Sequence, residues 1–289
     1  MKVVMLAAGV GRRLFGDENH CLPKALLRFD GKSLLARHVE ILLDLGIHEL
    51  ALVIGHRKED LLSEARRVAP EGFVRPIINP RYRESPILSL HAAAEVMEAG
   101  DDVLFMDADV LYHPDVLGRL VWSPHPNCFT LDWDWEPGDE PVKLCIRGGE
   151  LIDFGKQVTD DYDQIGEWPG FLRMSGEIAA KVAAAAKAHV DENNLTATYE
   201  TAMRDVLVSE PVGTFGFEDI TGIPWTEIDF PEDVTRAEEV ILPRILMEHL
   251  QQLSLYIMVT AQLTIIHVFL PWVRQICRWI PFIQNKQGK

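Results

Sequence analysis

Cysteine is scarce in this 289-residue chain. The four residues, Cys21, Cys128, Cys145 and Cys277, are scattered, with no Cys-x-x-Cys pair. That spacing argues against a zinc ribbon and a disulfide framework, and it favours a reducing compartment. Positive charge is also in short supply: 28 Lys and Arg stand against 44 Asp and Glu, a formal net charge of −16. Such a chain lacks the basic footprint a phosphate backbone requires, so no nucleic acid is expected as a partner. A nucleotide is not excluded, because it needs only a local cationic pocket. The first apolar run, Val3 to Ala8, is too short for a signal peptide. No internal repeat and no low-complexity linker is present, and no Ser-His or Cys-His arrangement stands out. The ten histidines do not cluster; His56 reads as a loop residue and His91 as a helix-packing residue.

What is present is an ordinary globular mix, 47% hydrophobic and 25% charged, long enough for one large domain or one domain with an appendage. Short apolar runs alternate with helical patterns through the first half. Val3–Leu6, Leu50–Ile54, Val74–Ile78 and Val103–Met106 read as strands, and residues 33–46 as an amphipathic helix ending at Gly46. Residues 85–100 read as a helix with Ser85 at the N-cap and Pro86 at its first position. This alternation predicts an α/β fold, a mostly parallel sheet flanked by helices. The middle, about 126–170, has closely spaced strands and Pro-Gly and Gly-Gly turns. From Phe129 to Gly170 it holds eleven acids against three bases. It is expected to form a small antiparallel lobe on the sheet edge. Residues 175–208 return to helix.

The stretch "MLAAGVGRRLFGDENHCLPKALL" (5–27) follows the first strand. Glycines there let backbone N–H groups approach a phosphate, and Gly9 and Gly11 are bracketed by the cations Arg13 and Lys24. A P-loop is absent, because no Gly-Lys-Ser/Thr follows. A dinucleotide fingerprint is absent too, because Leu14 stands where its third glycine belongs. The pattern LAAGxGxRL followed by PKALL resembles the signature of nucleotidyltransferases that make nucleotide-activated sugars and alcohols. Leu6, Ala7, Ala8, Gly9, Gly11, Arg13, Leu14, Pro23 and Lys24 match it, and Arg12 departs from the usual Ser or Thr. The resemblance covers roughly residues 1–245 and implies a Rossmann-like nucleotidyltransferase domain there. It also implies that the Gly9–Arg13 loop wraps a triphosphate, with Leu6, Ala8, Gly9, Gly11 and Arg13 as nucleotide contacts, and that Lys24 reaches the reacting phosphates.

"VLFMDADVLYHP" places Asp107 and Asp109 at a strand end, on one face by alternation. Two carboxylates there suit a hard cation such as Mg²⁺; a solvated strand end is the plainer alternative. The resemblance implies that Asp109 and Asp229 hold the metal, with Asp107 near the nucleotide. Asp233 reads as helix start. The expected reaction is attack of a phosphate monoester on the α-phosphorus of a nucleoside triphosphate. Arg13 would stabilise the leaving pyrophosphate and Lys24 would hold the attacking phosphate, with no general base.

Within that family the chain is most similar to the phosphocholine cytidylyltransferase branch, through "INPRYRESPILSL", "GEWPGFLRMS", "TYETAMRDV" and "WTEIDFPED". This implies CTP as donor, with Asn79, Ser85 and Ser89 near cytosine and ribose; Pro86 departs from the branch's usual Asn. For a choline-like acceptor, residues 131–140, Trp168, Tyr199 and Trp225 would supply aromatic faces and carboxylates, whereas Glu167 and Glu200 would instead hydrogen-bond the hydroxyls of an inositol or glycerol phosphate. Aromatics of such a lobe also serve as core, and both uses stay open. A sugar-1-phosphate, inositol-phosphate or phosphonate acceptor is the alternative within the class. A catalytically silent nucleotide-binding module tethered at a membrane is the alternative outside it.

A long stretch near the end of the chain lacks charge: 249–273 has no Asp, Glu, Lys or Arg. Residues 246–289 are expected to form an apolar helical tail. Its length admits a membrane span, but Gln251, Gln252, Gln262 and His267 weaken one. Arg274, Arg278, Lys286 and Lys289 follow without an acid and favour the cytosolic side, where the nucleotide is. An interfacial segment over 249–283, with Trp272 and Trp279 at headgroup level, satisfies both ends. Packing in a homo-oligomer is the other use. A cytoplasmic protein, held at the cytoplasmic membrane face by that segment, is the expected localisation.

Overall fold

The computed structural model describes residues 1–16, 21–135, 141–158 and 161–248. Contacts divide the chain into two units, Met1–Leu242 and Pro243–Lys289. Of the second, 243–248 is described and is helical. The apolar 249–273 stretch, with its interfacial, spanning and subunit-packing readings, lies outside the described residues. Among the described residues no helix is long and apolar enough to cross a membrane.

The first unit is built on a seven-stranded sheet. Lys2–Ala7 lies at its heart, parallel to Leu50–Ile54 on one side and to Val103–Asp107 on the other, and Val74–Ile78 extends the parallel part. Leu50–Ile54 is buried at every position, as a parallel strand covered on both faces requires. Beyond Val103–Asp107 the sheet turns mixed. Phe171–Met174 pairs antiparallel with it and with Cys128–Leu131, and Gly216–Asp219 closes the edge. The expected antiparallel lobe is a separate three-stranded sheet of Lys143–Arg147, Glu150–Gly155 and Gln164–Glu167.

The helix Leu34–Asp44 buries Leu35, Val39 and Leu42 against the sheet, and Ser33 caps it by accepting from the Ala36 N–H at 3.0 Å. The single helix expected over 85–100 is two short ones, Ile87–Ala92 and Ala94–Met97. Ser85 is not their cap. Its hydroxyl donates to the Ala197 carbonyl at 3.0 Å, which ties this segment to the later helices. Among the described residues the cysteines are free thiols. Burial pushes Cys128 up to about 11 and Cys145 up to about 12, so both stay protonated and inert.

The fold positions a cleft at the carboxyl ends of the parallel strands, where α/β sheets bind ligands. Leu6 pairs with Asp107 on one side and Val53 on the other. The glycine loop after Ala7 and the acids after Met106 therefore leave the sheet side by side.

Candidate active site

The loop after the first strand turns at Gly11, whose φ of 73° is left-handed. A Cβ there would press on side-chain atoms of Phe15 at 3.3 Å and Lys24 at 3.4 Å, and the left-handed φ strains any side chain, so conformation chiefly favours glycine. Gly9 has open space where a side chain would be, so its backbone faces the cleft unobstructed. His56 fastens the loop from behind: its N–H donates to the Ala8 carbonyl at 3.1 Å, and its Nε2 lies 2.9 Å from the Cys21 carbonyl. It is a loop residue, in the turn after Leu50–Ile54, and a buried one.

Opposite the loop are the acids. Asp109 follows Val103–Asp107; Glu227 ends the strand Trp225–Glu227, and Asp229 lies two residues on. Trp225–Glu227 pairs antiparallel with Val110–Tyr112, and the Ile228 N–H donates to the Asp109 carbonyl at 3.0 Å. The two acidic arms are thus one hydrogen-bonded unit. Asp233 does what a helix start should: its Oδ2 accepts from the Asp229 and Phe230 N–H groups at 2.8 and 2.7 Å, fixing the turn that presents Asp229.

Carboxylate oxygens of Asp109, Glu227 and Asp229 lie within 4.8 Å of one another. The Lys24 ammonium sits between two of them, 2.9 Å from Asp109 Oδ2 and 2.5 Å from Asp229 Oδ1. Arg13 adds a bond to Asp229 Oδ2 at 2.9 Å. Burial works to lower the Lys24 pKa, but Asp109 and Asp229 override it and hold the ammonium above its ordinary range. Glu227, on the cleft wall, is pushed well above the usual carboxylate range, by desolvation first and then by Asp109 and Asp229. Asp107, buried deeper, is raised in the same way, by burial and then by Asp109, Glu227 and Glu200. Its Oδ2 accepts from the Tyr199 hydroxyl at 3.0 Å, and Gly170 packs so closely that a Cβ would lie 2.8 Å from that oxygen. Three acids around two cations make an all-oxygen donor set with acid in excess. That fits a hard divalent cation, and Lys24 already shows that a cation is wanted between Asp109 and Asp229.

Loop and acids line one cleft of about 440 Å³. Of the residues predicted from sequence, Leu6, Ala8, Gly9, Gly11, Arg13 and Lys24 line it from the loop side. Ser85, Ser89, Asp107, Asp109 and Tyr199 line it from the other. Asn79 stands behind the wall, buried, donating to Ser89 Oγ at 3.1 Å. Asp229 reaches the site through Lys24 and Arg13. Trp168 does not: it is buried among Phe105, Phe129 and Phe154, and its indole N–H donates to the Phe171 carbonyl at 2.7 Å, so it is core. Glu167 pairs with Asp132 through backbone bonds at the lobe and is not on the cleft wall. Glu200 is not on it either; it lies in the first turn of the helix Tyr199–Ser209, and burial raises its pKa.

Two features escape a reading of the sequence alone. Glu227 has a signal, its alternation with Asp229 in "WTEIDF". Tyr82, Arg83 and Glu84 line the cleft from the turn after Val74–Ile78, and nothing in their residue types announces it.

The MobA-like NTP transferase domain model matches residues 3–152. The chain is 28% identical over 252 residues to a CMP-5'-(3-aminopropyl)phosphonate synthase of Streptomyces rubellomurinus, covering 82% of this chain but only 38% of that protein. It is 24% identical to a CTP:phosphoglutamine cytidylyltransferase of Campylobacter jejuni, covering 81% of this chain and 98% of that protein. Among solved structures, a CTP:phosphocholine cytidylyltransferase from Streptococcus pneumoniae superposes with a TM-score of 0.63 at 21% identity, over 83% of this chain and 98% of that one. The last likeness is one of fold.

Proposed function

This chain belongs to the MobA-like NTP transferase domain family and is a nucleotidyltransferase, and on that premise we propose that it transfers a cytidylyl group from CTP to a small phosphorylated alcohol, phosphocholine-like in size, releasing pyrophosphate and a CDP-alcohol. One observation carries the reading: the glycine loop with Arg13 and Lys24 and the acidic group of Asp109, Glu227 and Asp229 converge on one cleft. Support for CTP as donor comes from the cytidylyl chemistry in the names of similar proteins.

In this reading the Gly9–Arg13 backbone binds the triphosphate, while Ser85 and Ser89, braced by Asn79, border base and ribose. Asp107, tethered to Tyr199, forms the floor. Asp109 and Asp229, with Glu227 beside them, would hold Mg²⁺. When bound, the ion supplies charge neutralisation among the phosphates. Both reactants are anionic, so repulsion dominates the barrier and fixed cations lower it. An oxygen of the acceptor phosphate forms the new bond to the α-phosphorus as the bond to the bridging oxygen of pyrophosphate breaks. Arg13 steadies the departing pyrophosphate. Lys24 holds the incoming phosphate in line. The attacking oxygen is already ionised, so no side chain has to remove a proton.

A phosphonate acceptor is the second reading, favoured by the aminopropylphosphonate relative. With Trp168 in the core, the aromatic residues on the cleft wall among the described residues are Tyr82 and Tyr199. Pyrophosphate release with Mg²⁺ tests the reading, with CTP compared against ATP, GTP and UTP. The acceptor panel is phosphocholine, phosphoethanolamine, aminoethylphosphonate, inositol-1-phosphate, glycerol-3-phosphate and glucose-1-phosphate. Turnover with CTP and a non-sugar acceptor is expected. Turnover confined to a sugar phosphate overturns the acceptor class, and nucleotide binding with no turnover on any acceptor returns the silent-module reading. The uncharged 249–273 stretch supports placing the chain at a membrane face; co-sedimentation of the full chain with anionic vesicles is expected, and its absence removes that placement.

A further inference from the structure

We propose that His38 is a positioning residue for the acidic group: it clamps both ends of the 108–112 segment and thereby sets the affinity of the cleft for a divalent cation. The proposal rests on the metal-holding role given above to Asp109, Glu227 and Asp229.

His38 lies on the helix Leu34–Asp44, 1% exposed, on a face otherwise made of Leu35, Val39 and Leu42. A leucine would serve packing as well there. An imidazole in such a place is costly unless both nitrogens are used, and both are. Nε2 lies 3.1 Å from the Ala108 carbonyl and Nδ1 lies 3.0 Å from the Tyr112 hydroxyl. A carbonyl only accepts, so Nε2 carries the hydrogen. Burial pushes the ring down to about 4, leaving it neutral with one N–H. Nδ1 therefore accepts, and the Tyr112 hydroxyl donates to it.

The two partners matter because of what lies between them. Ala108 separates Asp107 from Asp109. Tyr112 ends the strand Val110–Tyr112, which aligns Val110 with Glu227 and Tyr112 with Trp225. The Asp109 carbonyl accepts from the Ile228 N–H, next to Asp229. One side chain thus holds the two ends of the segment that carries Asp109 and templates the other two acids. The Tyr112 ring is itself immobilised, stacked on His38 at 5.4 Å and edge-on to Phe171 at 4.7 Å. Partners behind metal ligands fix their orientation, and losing one typically weakens metal binding about 10–100-fold.

The test uses the full chain and Mn²⁺ as probe, with unbound Mn²⁺ read by electron paramagnetic resonance and folding followed by thermal melting. His38→Phe should weaken Mn²⁺ binding by about tenfold or more. Tyr112→Phe, which keeps the ring and loses only the hydroxyl, should weaken it less. His38→Gln, whose amide can donate to the Ala108 carbonyl, should restore most of the affinity. In turnover, the Mg²⁺ concentration for half-maximal rate should rise more than the rate at saturating Mg²⁺ falls. If both His38→Phe and Tyr112→Phe melt lower yet bind Mn²⁺ as the parent does, His38 only packs, and the proposal fails alone. If the parent binds no Mn²⁺, or Asp109→Ala binds it undiminished, the metal site itself fails and takes the proposal with it.

Discussion

Glu64 and Glu227 are both carboxylates in ionic clusters, and they are pushed in opposite directions. Glu64, on the buried face of the helix Lys58–Val68, accepts from Arg67 Nε at 2.8 Å, Arg67 Nη2 at 2.7 Å, Ser33 Oγ at 2.5 Å and Arg28 Nη2 at 3.2 Å. Those bonds, the ones from Arg67 foremost, pull it down to about 2. Glu227 faces the open cleft beside Asp109 and Asp229, the acids that hold the two cations, and is raised by desolvation and by those neighbours. One cluster is closed: every oxygen has its donor and nothing further is invited. The other carries more acid than its own cations can match. Completeness marks the first as a fastener of the fold, and the unbalanced charge marks the second as a place where something binds.

Breaking each cluster should separate the two meanings. The largest effect belongs to the open one. Lys24→Ala and Asp109→Ala should each lower pyrophosphate release from CTP by about 10²–10³-fold, with the circular dichroism spectrum retained. Parent-level turnover in either variant would sink the assignment of that side chain. Glu64→Ala should do the reverse. It leaves the buried Ser33 hydroxyl without its acceptor, while Arg28 and Arg67, half exposed, return to water, and it should cost about 1–2 kcal/mol of stability in urea unfolding, while turnover per folded molecule stays within about twofold. A hundredfold loss of turnover there would mean that the closed cluster is not merely structural.

Acid sharpens the contrast. The folded value of Glu64 lies near 2, below the ordinary 4.5, so the unfolded chain binds more protons between them. Its contribution is fully present above pH 4.5 and is lost as pH falls toward 2. Glu64→Gln should therefore flatten the fall of stability between pH 5 and 2. An unchanged slope would place the acid sensitivity in other groups.

Much of this was legible in the sequence because local patterns sufficed. The parallel strands are apolar runs, Ser33 and Gly46 bracket their helix, and Gly9, Gly11, Arg13 and Lys24 stand together within one loop and its return. Asp107 and Asp109 both line the cleft, as their spacing suggested, but the strand ends at Asp107 and Asp109 lies in the bend before Val110–Tyr112, so strand alternation is not what places it. Other features depend on where distant segments meet. Trp168 has the same residue type whether it cups a ligand or fills a core, and only its seat among Phe105, Phe129 and Phe154 decides. Ser85 looks like a helix cap until the Ala197 carbonyl, more than a hundred positions on, claims its hydroxyl. Tyr82 to Glu84 reach the cleft through a turn with no motif of its own. His38 sits at an apolar helix position, and its two polar partners lie more than sixty-five residues away.

The smallest expected effect tests the comparison most directly, because it predicts a gain. If Glu227 is held against its neighbours for the sake of a ligand, removing its charge should relieve the fold and harm the site. Glu227→Gln, measured in a chelator, should melt slightly higher than the parent, by up to about 1 °C, the order expected of a few tenths of a kcal/mol in a chain this size. The rise in melting temperature that Mg²⁺ with CTP confers on the parent should shrink in the same variant, since one carboxylate of the donor set is gone. A variant that melts lower in chelator would mean that Glu227 is stabilised where it stands, as Glu64 is. The line between a closed and an open cluster would then have to be drawn around Asp109 and Asp229 alone.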